Sequence, residues 1–237
     1  MTMTLRDGLW EGLDAVLVGG GSSLKTFDWS VLKDRPRVIV VNRAHIDCPT
    51  ADILFSEDER FFRHFKDSVN AFKGIKLFHA LAPEFIEPCK EAVPELTIIE
   101  RKRQDKYWSR TLSDGLSYSS NSMIGALNLA DILGAQTIYL LGVDCKIESS
   151  VVTNYHSDYP DGWQVNRHQM ISFKSDFEHW AAPKLLHRNV VNLNKDSAVE
   201  SWPKRDWREV LLSRGGGNGA QGKDGSVLHA GALRRGS

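Results

Sequence analysis

Cysteine is scarce. The chain has three in 237 residues, Cys48, Cys89 and Cys145, and they stand far apart. That spacing makes neither a disulfide framework nor a CxxC metal motif, and it points to a reducing, cytoplasmic compartment. Long apolar runs are missing as well. None approaches the ~20 residues that cross a bilayer, so no membrane span is expected. The opening MTMTLRDGLWEGLD lacks the continuous apolar stretch of a secretory signal. An excess of either charge is also absent, with 30 Lys and Arg against 30 Asp and Glu. Net charge therefore does not indicate nucleic acid as a partner, and it excludes an acidic solvating protein. What remains is 41% hydrophobic and 25% charged, the balance of a globular domain that can fill a core. Such a composition also allows a homo-oligomer.

The last residues stand apart. From Arg214 the chain reads RGGGNGAQGKDGSVLHAGALRRGS, with eight of the 19 glycines and few large apolar side chains. Such a segment cannot bury enough surface to offset its ordering entropy. Residues 214–237 are read as a flexible Gly-rich tail and residues 1–213 as the folded domain.

Within that domain, short apolar runs alternate with amphipathic stretches. The runs lie at 14–20, 37–42, 51–56, 75–80, 96–100, 137–144 and 189–194. Continuous runs of this length suit strands buried on both faces, as in a parallel sheet. Helical spacing appears over 57–69, with Phe61, Phe62 and Phe65 on one side, and over 122–133, where Gly134 follows as a stop signal. It appears again over 167–187, with a kink expected at Pro183. In SEDER, Ser56 is expected to cap the first of these helices and Glu59 to complete a capping box. Strands alternating with helices give an α/β fold with a mostly parallel sheet.

Three glycines, Gly19, Gly20 and Gly21, follow the first run, and Ser22 and Ser23 come next. At the carboxyl end of a parallel strand, glycines let backbone amides approach an anion, and serines add hydroxyl donors. The turn is neither GxGxxG nor GxxxxGK[ST], and the second run ends in Asn42 rather than an acid, so a nicotinamide cofactor is not expected. Asn42 could face a base or ribose, or cap a turn. Asp144 ends the sixth run, where a carboxylate coordinates a cation, orients a substrate hydroxyl, or caps a turn. The polar, aromatic stretch NYHSDYPDGWQVNRH holds His156 and His168, either of which could accept a proton from a substrate hydroxyl. The basic run RKRQDKYWSR (101–110) carries five Lys or Arg with Tyr107 and Trp108, a pattern that suits phosphates and stacking or a solvated loop.

The segments VLVGGGSSLKTFDWSVL, VIVVNRAHI and SNSMIGALNLADILGAQTIYLLGVD resemble two related groups. One is the 6-hydroxymethylpterin diphosphokinase-like family, which includes phage-encoded proteins. The other is the bacterial CMP-sialic-acid-dependent sialyltransferases. The resemblance implies a single Rossmann-like three-layer α/β domain and a transferase that uses a nucleotide-activated donor. By the sialyltransferase likeness, Gly19, Gly20, Gly21, Ser22, Ser23 and Asn42 would bind the nucleotide of a CMP-sugar-like donor. Ser122 would lie near that donor, Tyr139 or a nearby tyrosine would help the phosphate leave, and His156 or His168 would serve as base toward an unidentified acceptor. By the diphosphokinase likeness, the same turn would hold ATP and Asp144 would help hold Mg²⁺. A third expectation is a non-catalytic structural or assembly protein that keeps the fold.

Overall fold

The computed structural model describes residues 4–103, 105–147 and 154–212. The tail expected over 214–237 lies outside the described residues. All seven apolar runs are strands: β1 (Asp14–Val18), β2 (Val38–Val41), β3 (Ile53–Ser56), β4 (Ile75–Ala80), β5 (Thr97–Glu100), β6 (Thr137–Leu141) and β7 (Asn189–Asn192). They form one fully parallel sheet in the order β5-β4-β3-β2-β1-β6-β7. The strands that carry its centre are buried along nearly their whole length, which is why they read as unbroken apolar runs.

Alternation along the strands divides the core in two. Leu17, Ile39, Phe55 and Leu140 face α4 (Ser122–Ile132), while Val16, Val40, Phe78 and Leu141 face the opposite layer. That layer holds α1 (Glu59–His64), α2 (Lys66–Ala71) and α3 (Ile86–Ala92). After β5 the chain crosses back, so β6 pairs with β1 on its free side. The strand order therefore reverses at β1, and the crevice outside the carboxyl ends of β1 and β6 is where ligands bind in open α/β sheets.

Helix α4 is buried over ten of its 11 residues. Its two buried polar residues are satisfied from neighbouring segments. Asn128 accepts from the Ser117 amide (2.7 Å) and donates to Ser109 O (2.9 Å). Asp131 accepts from Trp108 Nε1 (2.8 Å) and Arg188 Nε (2.7 Å), and it lies 2.8 Å from His187 Nε2. Gly134 takes φ +88° and returns its amide to Asp131 O, which ends the helix as expected.

Three local expectations are corrected. The helix expected over 57–69 breaks at Phe65 (φ −98°, ψ 22°), leaving α1 and α2. Asp58, not Ser56, caps α1 by accepting from the Arg60 amide, because Ser56 Oγ already accepts from the Asp58 amide. The kink expected at Pro183 begins earlier. After α5 (Arg167–Ser175), residues Asp176–Ala181 form a π-helical turn, and Pro183 lies in the short α6 (Ala182–Lys184). Among the described residues, no helix is long and apolar enough to cross a membrane.

Candidate functional site

A cavity of about 530 Å³ opens at the switch point of the sheet. Its floor is the turn after β1 (Gly19–Ser22) and the end of β6 (Gly142–Lys146), and Asn42 adds the end of β2. Ser120, Asn121, Ser122 and Met123 supply the amino end of α4. Tyr159 and Trp163 contribute from the loop before α5, and Phe173 and Phe177 from α5 and the π turn.

The glycines of the floor have separate jobs. A Cβ on Gly19 would lie 2.9 Å from Gly142 O, and one on Gly21 would lie 2.5 Å from the Asp144 carboxylate and 2.7 Å from Gly142 O. Those two positions let the turn lie flat against the end of β6. A Cβ on Gly20 would meet nothing nearer than Asn154 Oδ1 at 3.6 Å. The backbone amides divide in the same way. Gly19 N donates to Leu141 O (2.8 Å), Gly21 N to Gly142 O (2.9 Å) and Ser23 N to Asp144 Oδ2 (2.7 Å). The Gly20 amide has no partner among the described residues, while Gly21 forms an antiparallel bridge with Asn154.

Asp144 is the clamp of this floor. Oδ1 accepts from Ser23 Oγ (2.7 Å) and Asn194 Nδ2 (2.8 Å). Oδ2 accepts from the Ser23 amide (2.7 Å) and lies 3.5 Å from Ser22 Oγ. A carboxylate has about four lone-pair directions, and all four are used inside the protein. The residue thus ties together the chain after β1, β6 and β7. Among the described residues, no group of three or more His, Cys, Asp or Glu is arranged to hold a metal ion.

Among the described residues, two side-chain atoms in the cavity wall are buried without a hydrogen-bond partner: Asn42 Oδ1, an acceptor, and Asn121 Nδ2, a donor. The Asn121 amide is oriented by its own oxygen, which caps α4 by accepting from the Met123 amide (3.1 Å). Asn42 holds a left-handed backbone, φ +54°, uncommon for a residue with a side chain. Sequence reasoning missed Asn121. Its signal was its place one residue before the expected start of a helix, the capping position.

The other expected residues fall as follows. Gly19, Gly20, Gly21, Ser22, Asn42, Ser122 and Asp144 line the cavity together. Ser122 Oγ also accepts from the Glu57 amide (3.3 Å). Ser23 lies below, bound to Asp144. Tyr139 lies inside β6, paired with Val16 and Val191, in the core on the side away from α4. His156 abuts the wall indirectly: its ring centroid is 4.4 Å from that of Tyr159. Burial and then the Arg43 charge pull its imidazole down to about 4, so it is neutral at physiological pH. His168 is exposed on α5 and does not line the cavity.

The basic run has other partners. Arg103 pairs with Asp105 (2.7 Å), and Arg101 sits 4.2 Å over the Tyr118 ring. Lys106 pairs with Asp176 (2.7 Å), which also binds the Ser119 and Ser120 hydroxyls. Tyr107 and Trp108 are buried, so neither offers a face for stacking a ligand. Another cationic cluster holds the loop at the cavity rim. Arg43 donates to Asp158 (2.6 Å) and Asp47, and Tyr155 Oη donates to Asp47 (2.8 Å).

No protein-family model matches the chain, and no curated protein matches it in sequence. Among solved structures, it is similar to the sialyltransferase CstII from Campylobacter jejuni in complex with a substrate analogue, cytidine-5'-monophosphate. The identity is 13%, the match covers 82% of this chain and 85% of that chain, and the TM-score is 0.49.

Proposed function

We propose that the cavity binds a nucleotide and that the protein is a transferase using a nucleotide-activated donor, of the CMP-sugar type. One observation carries this reading. A buried acceptor, Asn42 Oδ1, and a buried donor, Asn121 Nδ2, have no partner among the described residues, and they stand in one cavity whose floor includes the Gly20 backbone. An unsatisfied buried polar atom costs about 1–3 kcal/mol, so such atoms mark places where a ligand completes the bonding. A nucleobase edge offers a donor and an acceptor side by side. A phosphate suits amides at a glycine turn.

The balance of charge favours a monophosphate over ATP. Among the described residues, the cations of the lining are Arg60 and Lys146, and Arg60 already makes a two-pronged pair with Asp58. A triphosphate needs more neutralisation, usually with Mg²⁺. Asp144 has its lone pairs committed within the protein, which argues against that route through this carboxylate.

In the proposed reaction the acceptor oxygen attacks the anomeric carbon of the donor. The bond from that carbon to the phosphate oxygen breaks, and the nucleoside monophosphate leaves with the electron pair. The acceptor proton passes to a base. We assign that role to His156 rather than His168, because His156 is the one packed against a cavity-lining side chain. Ser122, near the donor, the Gly20 amide and the Ser22 hydroxyl stabilise the departing phosphate.

The test is a thermal-shift series with CMP, CDP, UDP, GDP and ATP, with and without Mg²⁺. CMP is expected to raise the midpoint without Mg²⁺, by about 2.7 kcal/mol of stability at a hundredfold excess over Kd. Asn42→Ala and Asn121→Ala are each expected to weaken CMP binding by about two- to tenfold. A series in which no nucleotide shifts the midpoint, or in which both variants keep full affinity, overturns the proposal.

A further inference from the structure

We infer that the second substrate of the proposed reaction is an alcohol carried on an apolar body, aryl or alkyl, which lies along α5. The inference rests on the nucleotide reading and adds the chemistry of the other half of the same cavity. That half is lined by Met123, Val165, Met170, Phe173 and Phe177. Met170, Phe173 and Phe177 follow each other at helical intervals, so α5 and the π turn present one apolar stripe. Met123 and Phe177 are buried members of the α4-side core, and Met170 and Phe173 pack against that core while only half-buried themselves. The apolar interior therefore runs out to the cavity surface, where water would otherwise meet it.

Several polar groups of this segment are engaged within the protein. Gln169 turns its side-chain oxygen back to the Asn166 amide (2.9 Å) to close a capping box. Lys174 pairs with Glu178 (3.5 Å), and Asp176 is held by Lys106, Ser119 and Ser120. A polyhydroxylated group laid here would give up bonds to water and find few replacements. An aryl or alkyl group would cover exposed apolar surface and gain from it. The volume of about 530 Å³ lies in the range of small-molecule sites, with room for a second group beside the nucleotide.

The probe is 2-naphthol, with galactose and glycerol as hydroxylated controls, titrated calorimetrically into the full chain with and without saturating CMP. Saturable 1:1 binding of 2-naphthol is expected, at least tenfold tighter than galactose, with a negative heat-capacity change and persistence in CMP. Phe173→Ser should weaken it at least tenfold. Met170→Ser serves the same end if the first variant does not fold. Ile171→Ser, on the outer side of α5 and 51% exposed, should leave it unchanged. Absent binding, parity with galactose, insensitivity to both stripe variants, or displacement by CMP each overturns the inference. Displacement would mean that the stripe holds the base instead. Thermal shift with CMP reads the nucleotide separately. Naphthol binding without any nucleotide response supports the apolar subsite while the transfer reading falls, and the converse result strikes this inference alone.

Discussion

Replacing Gly21 by alanine asks whether the floor of the cavity is built as a clamp. In an unconstrained turn, Gly→Ala raises stability by about 0.4–1 kcal/mol, because the unfolded chain loses freedom. Here the new methyl would sit 2.5 Å from the Asp144 carboxylate and 2.7 Å from Gly142 O. The carbonyl belongs to backbone that continues from β6, so it cannot swing aside. The carboxylate can yield only by giving up its bonds to Ser23 and Asn194. Overpacking costs about 1–3 kcal/mol, and a hydrogen bond to a charged group contributes about 1.5–3 kcal/mol. Set against the small entropic gain, a net loss of about 3 kcal/mol is expected. For a domain of this size, that is roughly 6–12 °C in Tm. Gly20→Ala is the control. Its methyl would stand 3.6 Å from the nearest atom, and the expected change is within about 1 kcal/mol of zero. Urea denaturation of both variants, and of each combined with Asp144→Ala, closes a double-mutant cycle. The Gly21 penalty should shrink by at least half when the carboxylate is gone. Equal losses at Gly20 and Gly21, or full additivity with Asp144→Ala, would refute the clamp.

Three further outcomes are expected. Gly125→Ala, which helix propensity alone would favour by about 1 kcal/mol, should instead destabilise by about 1–2 kcal/mol in urea, because its methyl would stand 2.4 Å from Glu57 Oε1 and 2.8 Å from Phe55 Cζ. Asp131→Ala should cost about 3–5 kcal/mol, measured the same way, since it strands the Trp108 and Arg188 donors. Burial holds the His45 imidazole down at about 4, against 6.5 when unfolded. The unfolded chain then binds more protons between those values, so the His45 contribution is complete above about pH 6.5 and is lost as pH falls toward 4. The stability difference between wild type and His45→Gln should narrow by about 2–3 kcal/mol between pH 7 and pH 4, and a difference independent of pH would dismiss this reasoning.

The sheet was legible because burial on both faces writes itself as uninterrupted Val, Ile and Leu, as in VIVV of β2. The cavity floor was half legible. A glycine run after β1 marked the place, but only neighbours distant in sequence show why each glycine is there. Gly19 and Gly21 answer to Gly142 and Asp144, more than 120 residues later in the chain. Tyr139 shows the same limit, since the alternation of β6 decides its face and the neighbours of that face decide its surroundings. The split at Phe65 and the π turn at Asp176–Ala181 also escaped, because the apolar spacing on either side continues across both. Tyr107 and Trp108, set among lysines and arginines, read as stacking or solvated residues, yet both are buried and Trp108 donates to Asp131 of α4.

Because four internal bonds saturate the Asp144 carboxylate, the foundation of the pocket is settled before any guest arrives. Variation is then cheapest at lining positions outside that clamp, such as Asn154 and Arg60, and such a scaffold lends itself to retargeting: altered selectivity can be sought there without rebuilding the base.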